Sequence, residues 1–544
     1  MTRWLLACAL VAAAAGPVWA QAEEADRFYL DKDDEDLGKT LFQGALTSST
    51  FYFAESGTRS VAGGSGLGPV DNASPFSRLF TDLRAQLDAR HLKGGRWDGR
   101  LDTRLRYVKN PFGDTEQLGS DVNSVQSGAF GDNEYELREL YLVRGGRRTD
   151  LFLGRQVIAD LGAIKIDGLR IDYAKNKRWT YLGFAGLYPK RGSRSIKTDY
   201  PIVIDQNSLP TGSHVMPVTG GFGGAYRTQR TYGAIGAVAI APTSRDGGPG
   251  GSGTYEQPRL YVVANGYWRR SSKLDLYHYV IFDLYGSGGQ ALTNGSVGLQ
   301  WKPKPRLRVH VSANTVDADA LNVQVRDQLA DAGPFEGAVI NNLKVQRIAA
   351  RSARAGITGG FGKLSRFELS AALSGRRRPE VVLEAGAVDQ ILPAAQAIEL
   401  QLQAVDRKSW KGIRLDASYI RSVGVGAASY ARSRAQIVRV AGTRELKGGK
   451  AELAGDVALV STADDNAGMT CNLGQVSSCW GSANTRSLQA NGLGYYRFQR
   501  DWYVNGSVGL GTQKLTITSP GTGVGVPQTS TLLGNFYLRL GYRF

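Results

Sequence analysis

The chain has 544 residues and a formal net charge of +17, from 66 lysines and arginines against 49 aspartates and glutamates. Its mean hydropathy of -0.25 is that of a water-soluble protein, and after residue 20 no uncharged apolar run is long enough for a transmembrane helix. The length alone suggests roughly three or four domains. However, no break in composition divides the chain.

The first 20 residues read as an export signal. Arg3 supplies the positive charge at the start, and Leu5 to Ala15 form a short apolar core. Val18 to Ala20 form a cleavage site with small residues, so cleavage is predicted after Ala20. A lipoprotein-like box ending at Cys8 is the alternative, but almost no apolar segment precedes it. Residues 21–39 are rich in acidic side chains and are predicted to form a solvated periplasmic tail.

From residue 40 to 544, stretches of 10–17 residues alternate apolar and polar side chains, and their connections alternate between tight and long. Tilted strands of ~9–11 residues span a membrane, with short periplasmic turns and longer external loops. A soluble all-β sandwich would share the average hydropathy. The pattern predicts an all-β fold, a single closed transmembrane antiparallel barrel of 18–22 strands with 22 as the best count. Weakly patterned pieces at 222–228 and 286–301 make the lower counts possible.

The last strand has the clearest alternation in the chain. Its apolar face ends on Tyr542 and Phe544, and the polar face carries Arg539 and Arg543. This ending resembles the C-terminal assembly signal of bacterial outer-membrane proteins. The resemblance implies an outer-membrane location, with the membrane lipid and the barrel assembly machinery as partners.

Arginines recur on the polar faces of the predicted strands. An arginine facing lipid near the midplane costs ~2–4 kcal/mol, so these side chains are predicted to line the lumen, where a ring of guanidinium groups favours anions. The alternative is that lumenal carboxylates such as Asp82, Asp102 and Asp416 cancel the charge. The arginines predicted to line the pore on this basis are Arg104, Arg106, Arg306, Arg308, Arg347, Arg351, Arg414, Arg432 and Arg434.

Three consecutive segments carry a resemblance to a known family. Residues 136–142 read ELRELYL, residues 151–156 read LFLGRQ and residues 167–173 read DGLRIDY. The series resembles the alginate-export type of outer-membrane barrel over about 40 residues. The resemblance implies passive export of an anionic polysaccharide through an arginine-rich lumen, with Arg155 and Arg170 among the pore residues. It also implies a separate periplasmic export protein, because the chain has no N-terminal repeat domain.

The exported location also bears on the cysteines and on other chemistry. Cys471 and Cys479 lie in a predicted polar loop, where an oxidising compartment favours a disulfide over two unpaired thiols. No catalytic, phosphate-binding or metal-binding motif occurs, so no cofactor or metal is predicted. Nucleic acid is not an expected partner, because the basic residues face a pore.

Several functions remain open on the sequence. A polysaccharide-export channel is the first hypothesis. A porin or specific channel for small anionic or sugar solutes is the second, and a constriction loop inside the barrel would mark it. An adhesin or assembly scaffold is the third. An outer-membrane hydrolase would need a serine next to His278 or His310 in space.

Overall fold

The computed structural model describes residues 39–57, 59–61, 70–72, 76–109, 134–189, 200, 202–204, 210–214, 216–241, 258–285, 290–317, 349–379, 381–385, 388–392, 395–409, 412–425, 432–465, 482–518 and 529–544. The predicted signal, the acidic tail up to residue 38, Arg347, Cys471 and Cys479 lie outside these ranges. For them the sequence-based predictions stand unchanged. Among the described residues, no helix is long and apolar enough to cross a membrane.

Twenty-two antiparallel strands form one closed barrel, which confirms the predicted fold class and strand count. Of the weakly patterned pieces, residues 222–227 belong to β12 and residues 291–301 to β16. The barrel strands are β1 (Leu41–Gly57), β4 (Phe76–Arg90), β5 (Trp97–Lys109), β6 (Glu134–Gly145), β7 (Thr149–Ile158), β8 (Ile164–Ala174), β9 (Trp179–Leu187), β12 (Val218–Arg227), β13 (Thr231–Ala241), β14 (Arg259–Ser271), β15 (Leu274–Tyr285), β16 (Ala291–Lys304), β17 (Leu307–Asp317), β18 (Ala349–Phe361), β19 (Phe367–Arg378), β22 (Ala395–Asp406), β23 (Arg414–Gly424), β24 (Arg432–Leu446), β25 (Ala451–Asp465), β26 (Ser482–Tyr496), β27 (Trp502–Thr518) and β28 (Thr529–Arg543).

Six short strands form three two-stranded ribbons in the longer connections, and these ribbons do not pair with the barrel sheet. The ribbons are β2 (Arg59–Val61) with β3 (Val70–Asn72), β10 (Ile202–Ile204) with β11 (Pro210–His214), and β20 (Val381–Ala385) with β21 (Val388–Leu392). Connections at the opposite end of the barrel are tight turns. We call the end with tight turns periplasmic and the other end external.

The outward face of the barrel is apolar because successive side chains of a strand alternate between its two faces. Leu510, Leu453 and Phe222 are 63%, 55% and 71% exposed on this face. At the periplasmic rim, aromatic rings stack in series, with Trp502 and Tyr542 4.7 Å apart between ring centroids. Closure leaves no unpaired sheet edge, as a lipid environment requires. An apolar belt with an aromatic rim on a closed sheet is the architecture of a membrane-spanning barrel of the outer-membrane type.

The first and last strands close the barrel. They pair from Ala45 opposite Arg543 to Gly57 opposite Thr531. The final residue extends the seam, because the Gly44 amide donates to the Phe544 carbonyl at 3.0 Å and the Phe544 amide donates to the Gly44 carbonyl at 3.2 Å. Only glycine fits at position 44, since a Cβ there would lie 2.7 Å from Cζ of the Phe544 ring. The predicted assembly residue therefore also completes the seam.

We expect deletion of Phe544 to lower the amount of folded barrel in the outer membrane severely. The deletion removes both seam hydrogen bonds and the ring that stacks on Tyr542 at 5.7 Å. The measurement is heat-modifiable mobility of the membrane fraction. Phe544→Tyr is the matched control, because it keeps the ring and the backbone, and it should assemble normally. Wild-type abundance of the deletion variant would contradict the prediction.

Candidate functional site in the barrel interior

On β4 and β5, the inward face carries a ladder of opposite charges. The Arg106 guanidinium donates to both oxygens of Asp82, at 2.7 and 3.1 Å, and Arg84 binds Asp102 in the same way at 2.8 and 2.5 Å. Arg106 also lies over the Phe80 ring, 5.0 Å from its centroid. These are bidentate pairs, the strongest form of this interaction. Arg106 thus lies inside as predicted, with its charge balanced by a carboxylate.

A β-bulge extends this ladder onto β6. The register with β5 shifts between Asp102 and Thr103, so Arg138 is an extra residue in β6. Glu136, which is fully buried, then contacts Arg138 at 3.0 Å and the predicted pore residue Arg104 at 2.8 Å. Arg104 is therefore also inside and paired. On this side of the barrel the alternative interpretation of mutual cancellation describes the wall correctly.

The hairpin between β7 and β8 folds into the lumen. Strand β7 pairs with β6 only between residues 150 and 155, and β8 pairs with β9 only from Asp167 onward. The two strands continue to pair with each other up to Ile158 and Ile164. The part of the hairpin beyond the wall therefore has no neighbour in the barrel sheet. We call residues 156–166 the inner hairpin.

An apolar cluster holds the inner hairpin against the adjoining wall formed by β9 and β12 to β14. The buried residues of this cluster, from the hairpin and from the inward faces of β9, β13 and β14, are Ile158, Leu161, Ile164, Ile166, Leu182, Phe184, Val238, Ile240, Tyr261 and Val263. Leu161 is fully buried and lies on Gly223 of β12 and Gly236 of β13, where a Cβ at position 223 would come within 2.7 Å of its Cδ2. The two glycines form the groove that accepts the leucine.

Polar contacts fix the tip of the inner hairpin as well. Asp160 accepts hydrogen bonds from Arg227 at 2.7 and 2.8 Å and from the hydroxyl of Tyr232. The Tyr279 hydroxyl donates to the Gly162 carbonyl at 3.3 Å. Gly162 has φ +79°, a left-handed conformation that suits glycine in a tight turn. The tip therefore has both an apolar anchor and a buried ion pair.

The two arginines implied by the family resemblance lie at the base of the inner hairpin and are buried. Arg155 is 5% exposed and binds both oxygens of Asp167 at 2.6 and 2.5 Å. Arg170 binds Asp172 at 2.7 and 2.6 Å and lies 4.7 Å from the Phe152 ring centroid. Both guanidinium groups are neutralised by a carboxylate. The structure therefore places them at the base of the inner hairpin, buried and paired with carboxylates.

The hydroxyl of Tyr200 reinforces this base by donating to Asp167. Burial raises the pKa of Tyr200, and the hydrogen bond to the Asp167 carboxylate adds to the effect. The phenol therefore stays protonated and remains a donor at neutral pH. Asp167 thus receives donors from both Arg155 and Tyr200.

From β17 to β28, the inward face is different in character. Arg354 donates to the amide oxygen of Gln401 at 2.5 Å, while Arg539 and Arg543 lie over the Tyr503 ring at 5.9 and 5.2 Å. Arg308 is two residues before His310 on β17, so both lie on the inward face, and Arg308 is exposed there. Arg354, Arg539 and Arg543 thus contact an amide or an aromatic ring, whereas the arginines of β4 to β8 described above contact carboxylates.

Carboxylates on this wall are fewer: Glu368 and Glu399 pair with Arg407 and Arg376, and two others contact amides. Asp456 accepts from Arg439 at 3.1 Å and from the side-chain amide of Asn491 at 3.2 Å. Asp416 accepts from the amide of Gln403 at 2.6 Å. We call the inward face of β17 to β28, excluding the short ribbon β20–β21, the arginine–amide wall.

Two more predicted pore residues lie at the periplasmic end of the barrel, and only one of them is on this wall. Arg414 is the first residue of β23, exposed and on the inward face with Asp416 and Ile420. Arg306 lies in the turn between β16 and β17, where it donates to the Gly362 carbonyl at 3.1 Å. Arg306 is therefore a turn residue at the mouth and not part of the lumen wall.

Three predicted pore arginines lie on strand positions that face outward, which corrects the prediction. Alternate residues of a strand lie on the same face. Arg351 is therefore on the face of Ile357, which is 47% exposed, and Arg434 is on the face of Val438, which is 45% exposed. Arg432 has the same register parity as Arg434. The prediction used the free-energy cost of a lipid-facing arginine near the midplane of the membrane. Near the interface this cost falls to about 0–1 kcal/mol. All three lie at the external ends of their strands.

Among the described residues, the histidines and acidic side chains form no catalytic cluster with a serine and no metal site. Neither His278 nor His310 makes a hydrogen bond to a serine among the described residues. His278 shares the outward face with Phe282, and His310 lies against Gly356. Within the same part of the chain, no group of three His, Cys, Asp or Glu side chains is arranged to hold a metal ion.

No family model matches the chain, and no curated protein sequence matches it. Solved structures match at low similarity. The outer-membrane protein OccAB1 of Acinetobacter baumannii is 9% identical, with a TM-score of 0.38 over 92% of this chain and 97% of the other. A mutant of the ferric enterobactin receptor PfeA of Pseudomonas aeruginosa is 8% identical, with a TM-score of 0.47 over 93% and 80%. A bacterial polysaccharide outer membrane secretin is 11% identical, with a TM-score of 0.29 over 61% and 91%.

Proposed function

We propose that the barrel is a passive outer-membrane channel for an anionic carbohydrate polymer, as in the alginate-export type of barrel. The observation that carries the proposal is the arginine–amide wall. Arg308 and Arg543 lie near its periplasmic end and Arg354 lies toward its external end. Guanidinium groups bind carboxylates, and amide side chains both donate to and accept from hydroxyl groups. A wall with both groups at successive heights suits a long acidic sugar chain.

The inner hairpin favours a second candidate, a channel for small anionic or sugar solutes. A barrel of 22 strands encloses a wide lumen, and the hairpin occupies part of it from the side of β9, β13 and β14. A constriction of this kind selects solutes by size. Both candidates use the arginine–amide wall, so they differ in the length of the substrate and not in its charge.

The two candidates predict different responses to acidic oligosaccharides of increasing length. In planar bilayers, uronic acid oligomers added to the periplasmic side should interrupt the current of the purified barrel. For a polymer channel, the duration of each interruption should rise with oligomer length, because longer chains contact more of the wall at once. For a small-solute channel, monomers should pass and longer oligomers should have no greater effect.

The same experiment extends to cells. Deleting the gene should lower cell-surface polysaccharide while polymer accumulates in the periplasm, where a separate export protein would deliver it. Unchanged surface polysaccharide, together with interruptions that do not depend on length, would rule out polymer export and promote the solute channel. If neutral oligomers interrupted the current as much as acidic ones, the substrate would not be selected by negative charge. That result would contradict both the polymer channel and the channel for small anions.

A further inference from the structure

Six basic side chains lie on the outward face near the external end of the barrel. All six are exposed, and we call them the external basic patch. They are Arg351 of β18, Arg377 of β19, Arg421 of β23, Arg434 of β24, Arg486 of β26 and Lys514 of β27. The patch is concentrated on one side, since Lys109 of β5 is the one basic residue at a described outward position of the external ends of β4 to β17.

The parity of each strand shows that these residues face away from the lumen. Arg486 shares its face with Leu488, which is 51% exposed, and Lys514 shares its face with Leu510, which is 63% exposed. The pairing of β26 with β27 has no register shift between these residues. The basic residues and the lipid-facing leucines are therefore on one continuous surface.

Their height places them at the membrane interface. Phe361 and Tyr496 lie at the periplasmic rim. Arg351 is ten positions from Phe361 along its strand, and Arg486 is ten positions from Tyr496. At about 3.3 Å per residue along a strand tilted by about 40°, this corresponds to about 25 Å, the usual height of the apolar band on such barrels. The patch therefore lies at the level of the lipid headgroups.

Like charges face each other directly within the patch. Arg351 is opposite Arg377, and Arg486 is opposite Lys514. Such pairs destabilise a sheet unless an anion lies between them. Two carboxylate residues, Asp317 of β17 and Asp465 of β25, have outward strand positions at this end of the barrel. Neither is directly opposite a member of the two pairs in the strand register.

The two rims of this side of the barrel also differ. The periplasmic rim carries Trp502, Tyr542 and other stacked aromatic rings, the usual anchors at both interfaces of a membrane barrel. Among the described outward residues at the external end of β18 to β27, none is aromatic. Basic side chains therefore occupy the position of the aromatic girdle.

We propose that the external basic patch binds the phosphate groups of a phosphorylated lipid in the outer leaflet. Arginine forms forked hydrogen bonds with phosphate oxygens, and phosphates are the anions present at headgroup level. Arg377 and Arg486, the nearest members of the two pairs, are five strand steps apart, about 24 Å at 4.8 Å per step, so each pair holds a separate lipid. This role is independent of what passes through the lumen.

The test compares the wild type with the variant Arg351→Gln, Arg377→Gln, Arg486→Gln, Lys514→Gln. Each protein is reconstituted in vesicles containing a phosphorylated glycolipid or its dephosphorylated analogue with the same acyl chains. We expect the phosphorylated lipid to raise the unfolding temperature of the wild type and not that of the variant. Phosphorylated lipid retained through detergent purification should fall about tenfold in the variant.

The matched control is the lumenal variant Arg308→Gln, Arg354→Gln, Arg539→Gln, Arg543→Gln, which removes the same number of charges and should retain the lipid. Inorganic phosphate at the same concentration should not raise the unfolding temperature. Equal retention by the wild type and the patch variant would overturn the proposal, and so would an equal effect of inorganic phosphate. If the four-site variant does not assemble, each two-site variant should lose part of the lipid, and full retention by both would overturn it.

Discussion

Replacing Arg308, Arg354 and Arg539 with glutamine should lower the preference of the open channel for anions over cations. These guanidinium groups face the lumen and contact no carboxylate among the described residues, so their charge is not cancelled locally. Removing one kT of positive potential would change the anion concentration in the lumen roughly threefold. The reversal potential across a salt gradient measures this preference. The shift should be largest at low salt, where screening is weakest.

The external basic patch offers a control with the same number of charges. The variant Arg351→Gln, Arg377→Gln, Arg434→Gln changes three arginines on the outward face, and it should leave the selectivity close to that of the wild type. An equal shift in both variants would show that the inward and outward faces do not differ in their effect on permeating ions. Cation preference in the wild type would contradict the electrostatic argument itself.

Replacing Leu161 with aspartate should release the inner hairpin and raise the single-channel conductance. The leucine side chain is fully buried in the apolar cluster, on the groove formed by Gly223 and Gly236. Truncating such a leucine to alanine costs about 2–5 kcal/mol, and a buried carboxylate without a partner costs more. The hairpin is paired with the barrel strands only at its base, so its tip can detach while the barrel stays closed.

Two further variants make the conductance result specific to the hairpin. Leu161→Met conserves volume, should cost less than about 1.5 kcal/mol and should keep the wild-type conductance. Asp160→Asn weakens the ion pair with Arg227 and should give an intermediate increase. If Leu161→Asp assembles normally and conducts like the wild type, the hairpin does not restrict the lumen.

The prediction of a barrel from sequence succeeded because a lipid-facing strand imposes a simple rule on the residues. Leu532, Phe536 and Leu540 alternate with polar residues along β28, and any slip of one residue would expose the wrong face to lipid. The strand count followed from the same rule and from the turn residues. This information is local, so it is readable in one sequence.

The inner hairpin was not predicted, although a signal for it exists. Residues 157–164 read VIADLGAI and are apolar on both faces, unlike the lipid-facing strands on either side. Such a segment is buried on both sides, which in a barrel means that it lies inside. The feature that identifies its partner is the pair Gly223 and Gly236 on distant strands, and only the closed structure brings them to Leu161.

The sequence determined that arginines are abundant and lie on strands, but the tertiary structure decided what each one does. Arg104, Arg155 and Arg434 look alike in the alternating pattern. In the structure, Arg104 binds Glu136 inside the wall, Arg155 is buried against Asp167, and Arg434 faces outward at the external rim. The role of a charge depends on its depth and on the partners that neighbouring strands supply. Strand periodicity determines neither of these, because both follow from how the sheet closes and where the hairpin folds.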